Sequence, residues 1–429
     1  MKGRLVIMGS GETAPTMVKV HRELLGDAAR TSARPKGSAV LLDTPFGFQE
    51  NADEIVSKAL EYFKVSLNTE FSVASLRNSE TAMARERESF IRDISQADYI
   101  FAGPGSPTYA LRHWSGAKVS SHLVDAVNSG GTVTFSSAAA LTLGEFTLPV
   151  YEIYKVGEEP AWREGLGVVN SLLGITAAVI PHFNNREGTN HDTRFCYMGQ
   201  RRLDLLESYL PVDAYVIGVD EHTGIILDLE AKTAKVVGIG TVTVRQAGRQ
   251  KVIDTGTFLS IDELLKLDNS STTTTGTVYD LQGKVHGRNG DAGPAEPASV
   301  DPLAQRIDDL RKRFDTALLN GDAAEMTEAT LDLDAELHDW GADTLQGDQL
   351  DRGRAVLRQM IHALGEASSS GLIPMSETIG PFVDLLIRLR ECARVEKDFT
   401  MSDSIRDGLA KMKIEIRDTP TGPEWILIE

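Results

Sequence analysis

The residues of this chain best suited to chemistry are Ser137, His182 and the neighbours Asp220 and Glu221: an alcohol, an imidazole and a carboxylate in that chain order. A serine hydroxyl becomes a nucleophile only with a base in hydrogen-bond reach and a carboxylate that orients the base. Ser137 follows Thr132-Val133-Thr134-Phe135-Ser136 and precedes Ala138-Ala139-Ala140, which reads as strand, sharp turn, helix. On such a turn the hydroxyl stands out at a strand end, and the first N–H groups of the helix face a developing oxyanion. The same serines, Ser136 and Ser137, also suit a plain N-cap before an alanine run. His182 closes the strand-like run from Ala178, and Asp220-Glu221 close the run from Ala214. Residues at separate strand ends of one sheet can converge although they lie far apart in sequence.

The elements needed to position them are legible as a parallel α/β unit. Short apolar runs at Leu5 to Met8, Ser38 to Leu42, Phe71 to Leu76 and Tyr99 to Ala102 alternate with stretches of helical period, such as Ile55, Ala59, Leu60 and Phe63 on one face. This alternation predicts an α/β fold, a mostly parallel sheet covered by helices. Ligands of such sheets bind beyond the carboxyl ends of the strands. The loops at Gly9, Asp43, Gly103 and Ser137 all leave those ends and should meet on one rim. Gly224 to Leu229, Ala234 to Ile239 and Val242 to Arg245 finish the domain with strands of antiparallel character.

Composition narrows the field. The 429 residues exceed one ordinary core, and 41% hydrophobic with 25% charged residues is an ordinary soluble balance. The apolar start stops at Gly9, too short for a signal segment, and no run is long enough for a bilayer. Cys196 and Cys392 cannot build a disulfide framework or a cysteine metal site, so a cytoplasmic location and no membrane partner are expected. Gly9-Ser10-Gly11 lacks the third glycine of a dinucleotide fingerprint, and His191-Asp192 lacks the helical spacing of a zinc site. No metal and no cofactor are therefore expected. The net charge is −18, with 15 Lys+Arg against 26 Asp+Glu (−11) in residues 301–429, so any nucleic-acid contact must be local.

The order of these motifs resembles a known family over residues 1 to about 250, the peptidase S51 group, which holds aspartyl dipeptidase (peptidase E) and cyanophycinase. That group has the class I glutamine-amidotransferase-like fold. Its Gly-x-Ser-Ala-Gly-Ala elbow is matched at the serine and both alanines by Phe135 to Ala140. His182-Phe183-Asn184-Asn185-Arg186 matches His-Phe-x-x-Arg, Gly218 to Thr223 matches Gly-Ile-Asp-Glu-x-Thr, and Gly103-Pro104-Gly105 matches the glycine loop after the fourth strand. The resemblance implies Ser137 as nucleophile, His182 as base and Glu221 as orienting carboxylate. It implies an oxyanion hole from the N–H groups of Ala138 and of Gly103 or Gly105. It also implies that Arg186, with Asn185 beside it, contacts a substrate carboxylate, so that the expected substrate is a small peptide. Two positions depart from the pattern: Phe135 stands where the family has glycine, and Pro104 has no N–H to donate.

Residues 268–300 are polar and rich in Gly, Ser, Thr and Pro, which predicts a flexible linker between a hydrolase domain at 1–267 and a helical domain at 301–429. The last domain has helical periods and then Ile414 to Arg417 and Glu424 to Ile428 about a Pro-Thr-Gly turn, which predicts a helical bundle with a small β-hairpin. Phe382 to Arg390, Ala393-Arg394, Lys397-Asp398-Phe399, Ser402 to Leu409 and Asp418 to Trp425 resemble the C-terminal region of cysteinyl-tRNA synthetase, where that enzyme meets tRNA. None of that enzyme's catalytic motifs is present. The resemblance implies tRNA contacts at Arg388, Arg394, Lys397, Arg406 and Trp425, with Arg390, Lys411, Lys413 and Arg417 as further cations near the end of the domain. The interspersed signs at helical spacing instead suit a self-paired face in a packing or homo-oligomerisation module.

Overall fold

Short runs of β-branched and aromatic residues, each too apolar to lie at a surface, form the ladder at the centre of the first unit. The computed structural model describes residues 2–31, 38–185, 191–267, 301–342, 349–370, 375–419 and 422–428. In chain order the ladder elements are β1 (Arg4–Met8), α1 (Val18–Thr31), β2 (Ala39–Leu42), α2 (Ala52–Leu67), β3 (Phe71–Ala74), α3 (Ala84–Gln96) and β4 (Tyr99–Ala102). They continue with α4 (Pro107–Trp114), α5 (Val119–Asn128), β5 (Thr132–Ser136) and α6 (Ser137–Leu141).

The strands β1, β5, β4, β2 and β3 run parallel in that spatial order. Strand Thr223–Asp228 continues the sheet antiparallel to β1, followed by Thr233–Gly238 and Phe258–Ser260, to give eight strands. A second sheet of six strands holds Ala177–Ile180 parallel to Tyr215–Val219, with Thr241–Gln246 antiparallel beside the latter. The sequence pattern had not separated the second sheet, because both sheets draw on equally apolar runs. Two-residue strands at Phe146–Thr147 and Arg163–Glu164 were likewise too short to leave a period.

Apolar clusters cover both faces of the larger sheet. One joins Leu5, Ile7, Val133 and Phe135 to Trp114, Leu123 and Phe90, and the other joins Val6, Met8, Tyr99 and Phe101 to Met17, Leu24 and Phe63. Alternate residues of β1 thus serve opposite faces, as a two-residue strand period requires.

The described residues divide into two compact units, and residues 339–342 group with the first. The proposed linker at 268–300 lies outside the described residues. The second unit is helical: Pro302–Asn320, Ala323–Asp339, Gln349–Ser370, Met375–Val395 and Phe399–Lys411, followed by a hairpin of Ile414–Thr419 with Gly422–Leu427. Asp301 caps its first helix through Ala304 N–H and Gly321 ends that helix with a left-handed φ. Val383, Ile387, Leu409 and Ile414 tie the hairpin to the last two helices, with Trp425 against them. Among the described residues no helix is long and apolar enough to cross a membrane.

Candidate active site

β5 ends at Ser136, and Ser137 takes φ +50°, a left-handed conformation that costs a non-glycine residue about 1–2 kcal/mol. That turn swings the Ser137 side chain away from the sheet just as α6 begins. Phe135 is wholly buried, with its ring 5.6 Å from that of Trp114 in the core. It therefore fills space behind the strand, and the absence of glycine there is absorbed by packing. Ser136 makes no capping hydrogen bond to the helix; its hydroxyl donates to Glu12 Oε2 at 2.8 Å.

The histidine arrives from the second sheet. His182 follows Ala177–Ile180 and has φ +49°, so a second strained residue turns its side chain toward the first. His182 Nε2 lies 3.0 Å from Ser137 Oγ, and His182 Nδ1 lies 2.9 Å from Glu221 Oε1. The imidazole side chain is 11% exposed and the Glu221 side chain 20%, which keeps the pair largely out of water. The carboxylate accepts the Nδ1 proton and leaves Nε2 to accept one from the serine. The Glu221 N–H donates to Asn184 Oδ1 at 2.8 Å, so the loop after the histidine also holds the loop that carries its carboxylate. Asp220 faces elsewhere: its Oδ2 accepts from the Thr241 N–H and hydroxyl, both at 2.8 Å. Of the two adjacent acids, Glu221 orients the histidine and Asp220 anchors a neighbouring strand.

The loop after β4 lies beside the elbow. The Ala139 N–H donates to the Gly103 carbonyl at 3.2 Å, and Gly105 has φ +135° with room for no side chain, since a Cβ there would lie 2.1 Å from the Pro45 carbonyl oxygen. The Ser106 N–H donates to that same carbonyl at 2.8 Å. Ala138, second residue of α6, has an N–H with no acceptor inside its own helix. The three sequence-derived donors, Ala138, Gly103 and Gly105, therefore belong to two segments joined by one backbone hydrogen bond.

Three buried polar residues of this rim escaped the sequence reading. Glu12 is fully buried, bonded to Ser136, and a side chain at Gly103 would begin 3.1 Å from its Oε1. His21, also fully buried, donates Nε2–H to the Glu12 carbonyl at 2.7 Å and accepts the Tyr99 hydroxyl at Nδ1, 3.0 Å away. The carbonyl fixes this tautomer, and burial lowers the His21 pKa to about 4. Asp43 closes β2 with no exposure, accepting from Ser75 Oγ, Leu76 N and Arg77 Nε, and so steadies the Pro45 turn under Gly105. Asp43 was marked only by the break that ends β2, whereas Glu12, in the loop after β1, and His21, inside α1, carried no signal in the sequence.

The other residues singled out in the sequence fall in several places. Asn185 is fully buried in the turn after His182, its N–H donating to the His182 carbonyl at 3.2 Å. Arg186 lies outside the described residues. His191 Nε2 is 3.3 Å from the Tyr154 hydroxyl, and Asp192 is bound by Arg194 and the Gln200 N–H, which lower its pKa to about 2. Among the described residues no group of three His, Cys, Asp or Glu is placed to hold a metal. In the second unit Arg394 reaches Glu391 and Asp418, Arg406 reaches Asp403 and Asp407, and Trp425 Nε1 donates to Asp384 Oδ1. Arg388 and Lys397 are exposed and in no ion pair among the described residues. Arg390, read from the sequence as a further cation for tRNA, is instead 4% exposed and clamps Asp418 through both terminal nitrogens.

No family model matches the chain. Among curated proteins it is similar to the cysteine–tRNA ligase of Cereibacter sphaeroides, with 35% identity over 138 residues, 32% of this chain and 28% of that protein. A 43-residue segment is 54% identical to the cysteine–tRNA ligase of Solidesulfovibrio magneticus, 10% of this chain and 9% of that one. Among solved structures it is similar to the crystal structure of a peptidase from an acI-B1 actinobacterium, with a TM-score of 0.49 and 22% identity over 61% of this chain and 97% of that one. The chain spans less than a third of the length of the ligases it matches, so what it shares with them is one region.

Proposed function

We propose that the first unit is a serine hydrolase of the peptidase S51 type, which cleaves a small peptide or isopeptide bond next to an acidic residue. The observation that carries this reading is the relay from Ser137 Oγ through His182 to Glu221, with separations of 3.0 and 2.9 Å. His182 Nε2 takes the Ser137 proton as Oγ attacks the carbonyl carbon, and Glu221 stabilises the resulting imidazolium. The N–H of Ala138, with that of Gly103 or Gly105, receives the oxyanion. Pro104 supplies no donor, so the hole depends on its flanking glycines. His182 then returns the proton to the leaving amine, and water, activated by the same nitrogen, releases the acyl group. The family resemblance assigns Arg186 to a substrate carboxylate. The reaction requires no cofactor.

The test is release of free amino groups from α- and β-aspartyl dipeptides by wild type and by Ser137→Ala. Turnover that the substitution abolishes supports the reading; equal turnover, or none in a folded wild type, overturns it.

A second reading rests on the ligase similarity: the second unit binds tRNA, and the hydrolase fold serves as its scaffold. Arg388, Lys397, Lys411 and Lys413 are exposed cations in no ion pair among the described residues, whereas Arg394 and Arg406 are engaged with acids. A retarded band with bulk tRNA at low salt that disappears as salt rises supports it. No retardation at low salt overturns it.

A further inference from the structure

We propose that Tyr197 forms the wall of the leaving-group side of the site and makes the enzyme favour substrates whose leaving residue is aromatic. This rests on the hydrolase reading and adds a substrate class to it. Phe195, Cys196 and Tyr197 have φ of +60°, +53° and +67°, three successive side-chain-bearing residues in the left-handed region. L residues enter that region singly and seldom, and such strain persists only where the surrounding structure holds it. Here the hold is visible. The Phe195 N–H donates to the Phe183 carbonyl at 2.9 Å and the Cys196 N–H to the His182 carbonyl at 3.1 Å, so the turn is bound to the loop that carries the base. Phe195 and Cys196 are buried, the Phe195 ring 4.6 Å from that of Phe183.

Tyr197 is the member of the turn that the core does not take. It is half-buried, with its ring 6.5 Å from the imidazole of His182. Next to it, at 4.9 Å, is the half-buried ring of Tyr154, carried by the single π-helical turn Glu152–Val156, and His191 stacks with Tyr154 at 6.2 Å. The strained turn thus fixes a partly open aromatic ring beside the base. The chemistry gives that place a meaning. His182 Nε2, 3.0 Å from Ser137 Oγ, hands its proton to the leaving amine, so the amine must come within hydrogen-bond reach of the imidazole. The side chain of the leaving residue branches one carbon beyond that amine, and an aromatic one is long enough to meet a ring in contact with the imidazole. The acyl part, by contrast, is held at Ser137 and the oxyanion donors. Aromatic rings pair offset or edge to face at about 4.5–7 Å, which favours an aromatic leaving residue beyond the apolar area it buries.

The experiment uses the full chain and two aspartyl dipeptides that share the acyl residue, one with phenylalanine and one with alanine as the leaving residue. The ratio of their kcat/KM values is independent of how much protein is active, and a substitution that only impairs the base slows both substrates and keeps the ratio. In the wild type the phenylalanine substrate should be favoured roughly tenfold. Tyr197→Ala should bring the ratio close to one, and Tyr197→Phe, which keeps the ring, should preserve it. Tyr154→Ala, one ring further from the base, should lower the ratio about threefold and supplies the reading if Tyr197→Ala does not fold. Turnover without preference in the wild type, or a preference that survives both alanine substitutions, overturns the inference and leaves the hydrolase reading intact. Turnover of neither substrate by the folded wild type overturns both.

Discussion

The two units treat polar side chains in opposite ways. In the first, Ser137 and His182 adopt left-handed backbone and meet across two sheets, with Glu221 completing a line of groups largely screened from water. In the second, charges pair at the surface, with neighbours in sequence as Arg406 does with Asp403, between helices as Arg306 does with Glu336, or from helix to hairpin as Arg394 does with Asp418. Backbone strain and the withdrawal of polar groups from water cost stability; pairing at a surface costs little and contributes little. The contrast fits the proposed hydrolase site in the first unit, and in the second Arg388 and Lys397 are exposed.

Substitutions can break or sharpen this contrast. The largest effect should follow Ser137→Ala, which should lower hydrolysis of a cleaved peptide by at least about 10³-fold with an unchanged melting temperature. Next is the buried His21. Its folded pKa, about 4, lies below the usual 6.5, so the unfolded chain binds the extra proton first as pH falls. Its contribution is fully present above pH 6.5 and is lost as pH falls from 6.5 toward 4, by up to about 3 kcal/mol. Urea midpoints measured across that range should fall steeply in wild type and less steeply in His21→Gln.

Gly105→Ala should lower the rate constant for turnover by about 10²-fold, because the new methyl must push away the Pro45 carbonyl and with it the glycine loop. Steady-state kinetics that show no change would remove that loop from the oxyanion site. In the second unit Arg390→Ala should cost about 2 kcal/mol, since it strips Asp418 of a buried clamp. Arg394→Ala, at an exposed pair, should cost less than about 0.5 kcal/mol. Equal losses in the two variants, read from urea curves, would erase the distinction between clamp and surface pair.

Much of this was legible in the amino-acid sequence, for identifiable reasons. Strand ends announce themselves where an apolar run breaks, and Ser137, His182 and Glu221 each sit at such a break. The choice between Asp220 and Glu221 could not be made from spacing, because it depends on which face of the chain meets Thr241. Phe135 read as an obstacle since the sequence does not say which side of β5 it occupies; packed on Trp114, it is core. Glu12 stayed hidden because its partner, Ser136, is remote in the chain and no periodic pattern links them. Arg390 was grouped with the exposed cations for the opposite reason: its charge looked like one of many on a helix, and only burial sets it apart.

The opposed orientations of Asp220 and Glu221 make the chain intolerant of a shift in length. Deleting one residue between Tyr215 and Val219 would move Glu221 into the place that faces Thr241 and bring His222, which is not an acid, to the place that faces the imidazole. Insertions and deletions in this segment should therefore be purged even where every substitution that preserves apolar character is accepted.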